Sequence, residues 1–284
     1  MKINKKSNVW VSIENDGSNY FSTFQLIPEN VKSISIAFSD SNQYYKSRLY
    51  LINVKKSKTP YEFVYTDQFN NKTRQFKTSQ KEARVIQFME SIDARNLAKT
   101  DPDAVIEKTV EYILSISEDE FTTVKYIHDV EWYLVSYDND ALYSEIKKPQ
   151  DYKTVLATGL SVCAGFSNVF SQFCKVAGII EIPVSGYARG IGWGGQSWSK
   201  NDDPTKTNHA WNMVNICGFW YLLDVTWDCG NTVKGKRNEF YATTWLFADP
   251  ETMIHSHYPV NKKYQLLKDP YTPKEFKELN YITP

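Results

Sequence analysis

The first quarter of the chain alternates. Val9, Val11 and Ile13 are interleaved with Trp10 and Ser12, and Ile34, Ile36 and Phe38 with Ser33, Ser35 and Ala37. Period-two patterning predicts strands that turn one face to a core. Segments 20–28, 46–54 and 61–66 read the same way, with Asn, Asp, Gly, Ser and Pro between them. Such a set of short strands predicts a small β-domain over residues 1–78, of sandwich type.

Near residue 79 the period lengthens. Ser79-Gln80-Lys81-Glu82 has the form of a capping box, and Val85, Phe88, Met89 and Ile92 follow at helical spacing. Asp101-Pro102 supplies an N-cap and a proline at the first helical position, predicting a helix to about Ser117. Another is predicted over 119–136, and from Leu156 helix, strand and loop alternate. The fold class is therefore α+β. The β-domain is followed by a second domain over 79–284, with a helical lead-in (79–150), a core (151–250) and a C-terminal extension (251–284).

Two patterns in the core are sharper. In GLSVCAGFSNVFSQFCKVAG, residues 159–178, a helix over 162–177 aligns Phe166, Phe170, Phe173 and Ala177 on one stripe. Ser161 is the expected N-cap and Gly178 the C′ residue. In NHAWNMVNICGFWYLLDVTWD, residues 208–228, two β-rich runs flank Cys217-Gly218, a hairpin pattern. Pairing Ile216 with Phe219 sets Asp224 opposite Trp211 and His209 opposite Thr226. His209 and Asp224 then become diagonal neighbours on one face.

Composition narrows what such a chain could do. Of 284 residues 42% are apolar, with 8 Trp, 19 Tyr and 15 Phe, so a packed core is expected. Basic and acidic side chains balance at 33 each, which gives no argument for nucleic acid or an anionic membrane as partner. The longest apolar runs fall short of a membrane span, and the N-terminal MKINKKSNVWVSIENDG lacks the apolar stretch of a signal peptide. Compartment and oligomeric state stay open. Cys163 and Cys174 would lie roughly 16 Å apart along one helix, too far for a disulfide. Cys217 and Cys229 stand at opposite ends of the hairpin. No C-x-x-C pair points to structural zinc.

The chemistry follows from placement. A thiol in the first turn of a helix sits in a field that favours thiolate. His209 can take its proton, and Asp224 can fix the imidazole's tautomer. The Cys163 N–H is the expected oxyanion donor. Residues 190–195, GIGWGG, match G-x-G-x-x-G by letter, but loop follows where a dinucleotide site needs a helix. The long connection over 189–208 instead offers Trp193 and Trp198 as walls of a substrate cleft, with Trp211 and Trp227 flanking the triad. His128 is read as a packing residue. His255 and His257 lack a third ligand, so no metal is expected, nor any organic cofactor.

The motifs GLSVCAGFSNVFSQFCKVAGI, NHAWNMV and GFWYLLDVTWD together resemble the transglutaminase-like superfamily. In that family a Cys at a helix start, a His opening a strand and an Asp on the next strand form a triad, matching Cys163, His209 and Asp224. VKYIHDVEWYLVSYDND looks like the helix that precedes the triad, and the tail from TTWLFADPETMIHSHYP onward is similar to the kyphoscoliosis-peptidase branch. The likeness covers about residues 119–280. It implies a papain/transglutaminase-like domain with a helix packed on an antiparallel sheet, and cysteine-dependent acyl transfer on a protein or peptide substrate. Peptidase is the outcome the tail favours, with transglutaminase or deamidase as alternatives. A non-catalytic protein-binding module that keeps the fold is the reading from another class. The turn often written Asp-Gly in relatives is Cys217-Gly218 here.

Overall fold

A computed structural model describes residues 33–36, 50–55, 62–67, 72–77, 81–117, 119–142, 144, 148–189, 203–216 and 218–279. The expected strands at 9–13 and 20–28, Ser79 and Gln80 of the capping box, Trp193, Trp198 and Cys217 lie outside these residues. Strands β1 (Ser33–Ile36), β2 (Tyr50–Lys55), β3 (Glu62–Asp67) and β4 (Lys72–Lys77) pair antiparallel in chain order. The described residues of this segment form one four-stranded sheet. β4, KTRQFK, escaped the sequence reading because it carries one apolar residue; it is recruited by pairing with β3, Phe63 against Phe76.

Helices follow. α1 (Ala83–Ser91) is capped by Glu82, α2 spans Ala94–Thr100, and α3 (Pro102–Ile116) is capped by Asp101, as its Asp-Pro start predicts. α4 (Glu120–Leu134) begins with a reciprocal box between Asp119 and Thr122. After β5 (Ser136–Asp138), α5 (Asn139–Leu142), α6 (Tyr152–Thr158) and β6 (Leu160–Ser161) comes α7, Cys163–Ala177. Its Phe166, Phe170 and Phe173 are buried against Val124, Ile127 and Val130 of α4 in the main core. Gly178 ends it with φ 74°, a left-handed conformation that glycine adopts without strain.

The sheet that carries α7 comes next. β7 (Ile180–Ala188), β8 (His209–Ile216), β9 (Phe219–Leu223), β12 (Leu246–Ala248) and β13 (His257–Pro259) run in the order β12-β9-β8-β7-β13, all antiparallel. A second sheet orders β11 (Lys236–Tyr241), β10 (Cys229–Val233), β5 and β6. α8 (Val225–Asp228), α9 (Pro250–Met253) and α10 (Pro273–Glu278) are short. α7 lies on β7 and β8, with α3, α4 and α6 around it. This is the expected helix on an antiparallel sheet.

A polar layer crosses the interior behind that sheet. His128, fully buried, lies 3.1 Å from Asp129 Oδ1 and 3.3 Å from Asp228 Oδ2. Lys125 pairs with Asp129, and Tyr241 donates its hydroxyl to Asp129 at 2.8 Å. His128 is therefore an ion-network residue as well as a packed one. Two carboxylates offset the burial that would otherwise deprotonate it.

Candidate active site

Cys163 is the first residue of α7. The N-cap is Val162, and no side chain caps the helix. Ser161, the expected cap, lies on β6, and its hydroxyl is 2.8 Å from Gln150 Oε1 and 2.7 Å from Val162 O. Gln150 Oε1 also accepts the Val162 N–H at 3.2 Å. A serine drawn into a strand cannot turn its oxygen onto the N–H groups of the following turn, so the positive end of α7 is left to the sulfur. Close packing beneath requires Gly165. A Cβ there would come within 2.0 Å of Ser161 Oγ and 2.8 Å of Gln150 Oε1.

His209 opens β8, and polar contacts at Trp211 and Asn212, further along the strand, tie β8 to α7. Ser167 Oγ donates to Trp211 O at 3.2 Å, and Asn212 Nδ2 donates to Ser167 O at 3.1 Å and to Glu181. Asn212 was not anticipated. A lone Asn in a strand gives no sign that it faces a helix.

Asp224 reaches His209 by a different path from the one the hairpin register implies. Pairing holds from Ile216–Phe219 to Asn212–Leu223, as expected, and there β9 stops. Asp224 is the N-cap of α8, accepting from the Trp227 N–H, while its own N–H donates to Trp245 O. Thr226 is consequently helical rather than opposite His209. The chain leaves the strand where the Asp224 side chain caps the next turn, a role aspartate favours, although Val225, Thr226 and Trp227 suit a strand. The carboxylate still arrives, with His209 Nε2 2.7 Å from Asp224 Oδ2.

The Cys163 thiol lies close to His209 and to the backbone of Ala210. Burial acts to raise its pKa, but the charge of His209 and the polar contacts of both residues outweigh it, and the thiol lies below its ordinary value. Burial acts to lower His209. The Asp224 carboxylate and the Cys163 thiolate reverse that, lifting it to about 10. Asp224, despite burial, is held well below the usual carboxylate range by His209 and then by a second imidazole, His257. These are the shifts of a thiolate–imidazolium pair.

His257 was missed as a member of this site. Its Nε2 lies 3.0 Å from the same Oδ2. The donor atoms of His209, Asp224 and His257 fall within 4.8 Å of one another, close enough to share a metal ion. Both rings, however, meet an ionised carboxylate oxygen as N–H donors, which accounts for their convergence by hydrogen bonding alone. The sequence carried little signal: β13 has only three residues, and its neighbour β7 precedes it by some seventy positions.

The tryptophans divide. Trp227 packs on His209 with ring centroids 5.6 Å apart and is partly exposed. Trp211 stacks at 6.0 Å but is buried, a support behind the imidazole rather than a cleft wall. Glu131 of α4 is buried nearby, and neither of its carboxylate oxygens has a hydrogen-bond partner among the described residues. Burial, reinforced by the Asp224 charge, pushes its pKa well up, so it is held protonated.

Residues 107–225 match the model of the transglutaminase-like superfamily. The matched span includes Cys163, His209 and Asp224. Among curated proteins it is similar to kyphoscoliosis peptidase of Mus musculus, 33% identical over 150 residues, 52% of this chain and 22% of that protein. The Homo sapiens kyphoscoliosis peptidase is 36% identical over 137 residues, 47% of this chain and 20% of that one. Hillarin of Drosophila melanogaster is 27% identical over 126 residues, 40% of this chain and 15% of that protein. The likeness therefore spans about a fifth of the kyphoscoliosis peptidases' length. Among solved structures, a TGase aligns at 18% identity with a TM-score of 0.33, covering 55% of this chain and 37% of that one.

Proposed function

We propose that this protein is a cysteine-dependent acyl-transfer enzyme of the transglutaminase-like kind, acting as a peptidase on a protein or peptide substrate. The observation that carries the reading is the 2.7 Å His209–Asp224 contact, with the Cys163 thiol close enough to His209 for each to shift the other's ionisation. The Cys163 thiolate attacks a carboxamide or peptide carbonyl, forming a tetrahedral adduct. That adduct's oxygen charge lies near the uncapped start of α7, where the Cys163 N–H can donate to it. His209, protonated, delivers its proton to the departing nitrogen and becomes neutral. A thioester remains, and water, deprotonated by His209, releases the acid and restores the thiolate.

Supporting the peptidase outcome are the two kyphoscoliosis peptidases among the relatives. The competing outcomes differ only in the acceptor and the carbonyl. A lysine amine on a glutamine-derived thioester gives cross-linking, and water on the same thioester gives deamidation. We take residues 79–284 as the catalytic unit and 1–78 as a separate β-domain.

Incubating wild type and Cys163→Ala with a protein mixture and a labelled primary amine tests this. Mass spectrometry is expected to find new peptide termini that depend on Cys163. Amine adducts or deamidated glutamines instead would establish one of the alternatives, and no Cys163-dependent product would favour a binding module.

A further inference from the structure

We propose that His257 is a positioning residue of this site, holding the Asp224 carboxylate by donating its Nε2–H to the oxygen that also receives His209. The proposal rests on the reading of Cys163, His209 and Asp224 as nucleophile, base and orienter. His257 lies outside residues 107–225, the span that matches the superfamily model.

Four observations carry it. First, the ring is aimed. β13 pairs with β7 with His257 against Ala188 and Pro259 against Gly186, and Gly186 pairs with His209 on its other side. One strand thus separates the two imidazoles, and their rings, 5.5 Å apart, converge across it. Gly186 permits this approach, since a Cβ there would come within 2.3 Å of Tyr258 O and 2.4 Å of Trp211 Cη2.

Second, the tautomer follows from the partner. An ionised carboxylate oxygen can only accept, so Nε2, 3.0 Å from Asp224 Oδ2, carries the proton, while Nδ1 lies 2.7 Å from Ser256 Oγ, whose hydroxyl also reaches Met253 O at 3.2 Å. Third, the ring is wedged between Trp211, Trp227 and Trp245, at centroid distances of 5.1, 4.4 and 4.9 Å, so it has one orientation. Fourth, its charged form is disfavoured. Burial lowers its pKa below the ordinary value, and the charge of His209 contributes in the same sense. A neutral donor orients the carboxylate without competing with His209 for its charge.

Asp224 needs this second hold. Among the described residues its other oxygen accepts only the long 3.4 Å bond from the Trp227 N–H. Among the described residues, the ionisable groups that interact with it are His209 on β8, His257 on β13, Glu131 on α4, Cys163 on α7, Asp228 on α8 and Cys229 on β10. Four of these are acids or thiols whose negative forms repel it, so the two imidazoles are what keep it ionised and in place. Losing the His257 N–H raises the affinity of Asp224 for a proton. The thiolate–imidazolium pair then fails at a higher pH on acidification.

His257→Gln and His257→Asn separate this role from packing. A glutamine amide nitrogen can occupy the position of the imidazole Nε2, whereas that of asparagine reaches only the Nδ1 position. The readout is the rate of Cys163 alkylation by iodoacetamide, followed by mass spectrometry from acid to neutral pH. His257→Asn is expected to slow labelling at neutral pH roughly tenfold, the loss typical of one hydrogen bond to a charged group, and to move the acid limb upward. His257→Gln should stay within about threefold of wild type. Equal rates and profiles for Asn and wild type, or equal losses in Asn and Gln, would overturn the proposal. So would slowing of the wild type by a chelator, which would mark His257 as a metal ligand. If wild-type Cys163 labels no faster than an ordinary thiol, the underlying triad reading fails instead.

Discussion

Cys163, His209 and Asp224 could each be singled out from local pattern alone. A cysteine before a helical stripe, a histidine opening a β-run and an aspartate ending the next are features of a few neighbouring residues. What local pattern could not give was the manner of contact. Ser161 resembled a cap but is occupied by Gln150, and Asp224 resembled a strand residue but caps α8. His257 was illegible because its role depends on a contact across β7. At this scale the test is Asp224→Asn. An amide in place of the carboxylate carries no charge to balance an imidazolium, so alkylation of Cys163 at neutral pH should fall at least about a hundredfold. A rate within a few-fold of wild type would deny Asp224 its orienting role.

Elements were legible where periodicity was long. α3, α4, α7 and the β8–β9 register follow from the sequence, since each buries a face wide enough to leave a pattern. Short edge elements were not. β4 and β13 are defined by partners rather than by their own residues, and α8 interrupts what reads as a continuing strand. The sheet holds the site through close approach at Gly186, between β8 and β13. Gly186→Ala should lower stability by about 1–3 kcal/mol through overpacking, read from urea midpoints, and slow Cys163 alkylation as His257 is displaced from Asp224. Unchanged stability and rate would show that β13 can shift without consequence to the site.

Across the whole molecule, the site is embedded in buried ionisable groups whose stability cost changes with pH. Glu131 binds its proton more tightly folded than unfolded, where the ordinary value is 4.5. Above that value the folded state holds more protons than the unfolded chain, so this contribution to stability declines as pH rises. Glu131→Gln, isosteric with the protonated acid, removes that dependence. The Tm of wild type should fall more than that of Glu131→Gln between about pH 5 and pH 8; parallel declines would mean Glu131 is not held protonated.

The central claim is that Cys163 is a nucleophile activated by His209, and graded-pH alkylation tests it most directly. Intact protein is treated with iodoacetamide across the pH range, and each cysteine is followed separately. Cys163 should reach its maximal rate well below the ordinary thiol value of 9.0, while buried Cys174 and Cys229, whose thiols are pushed well up by burial, stay unlabelled. A Cys163 rate that climbs steadily through neutral pH toward 9.0, as for an unperturbed thiol, would contradict the account.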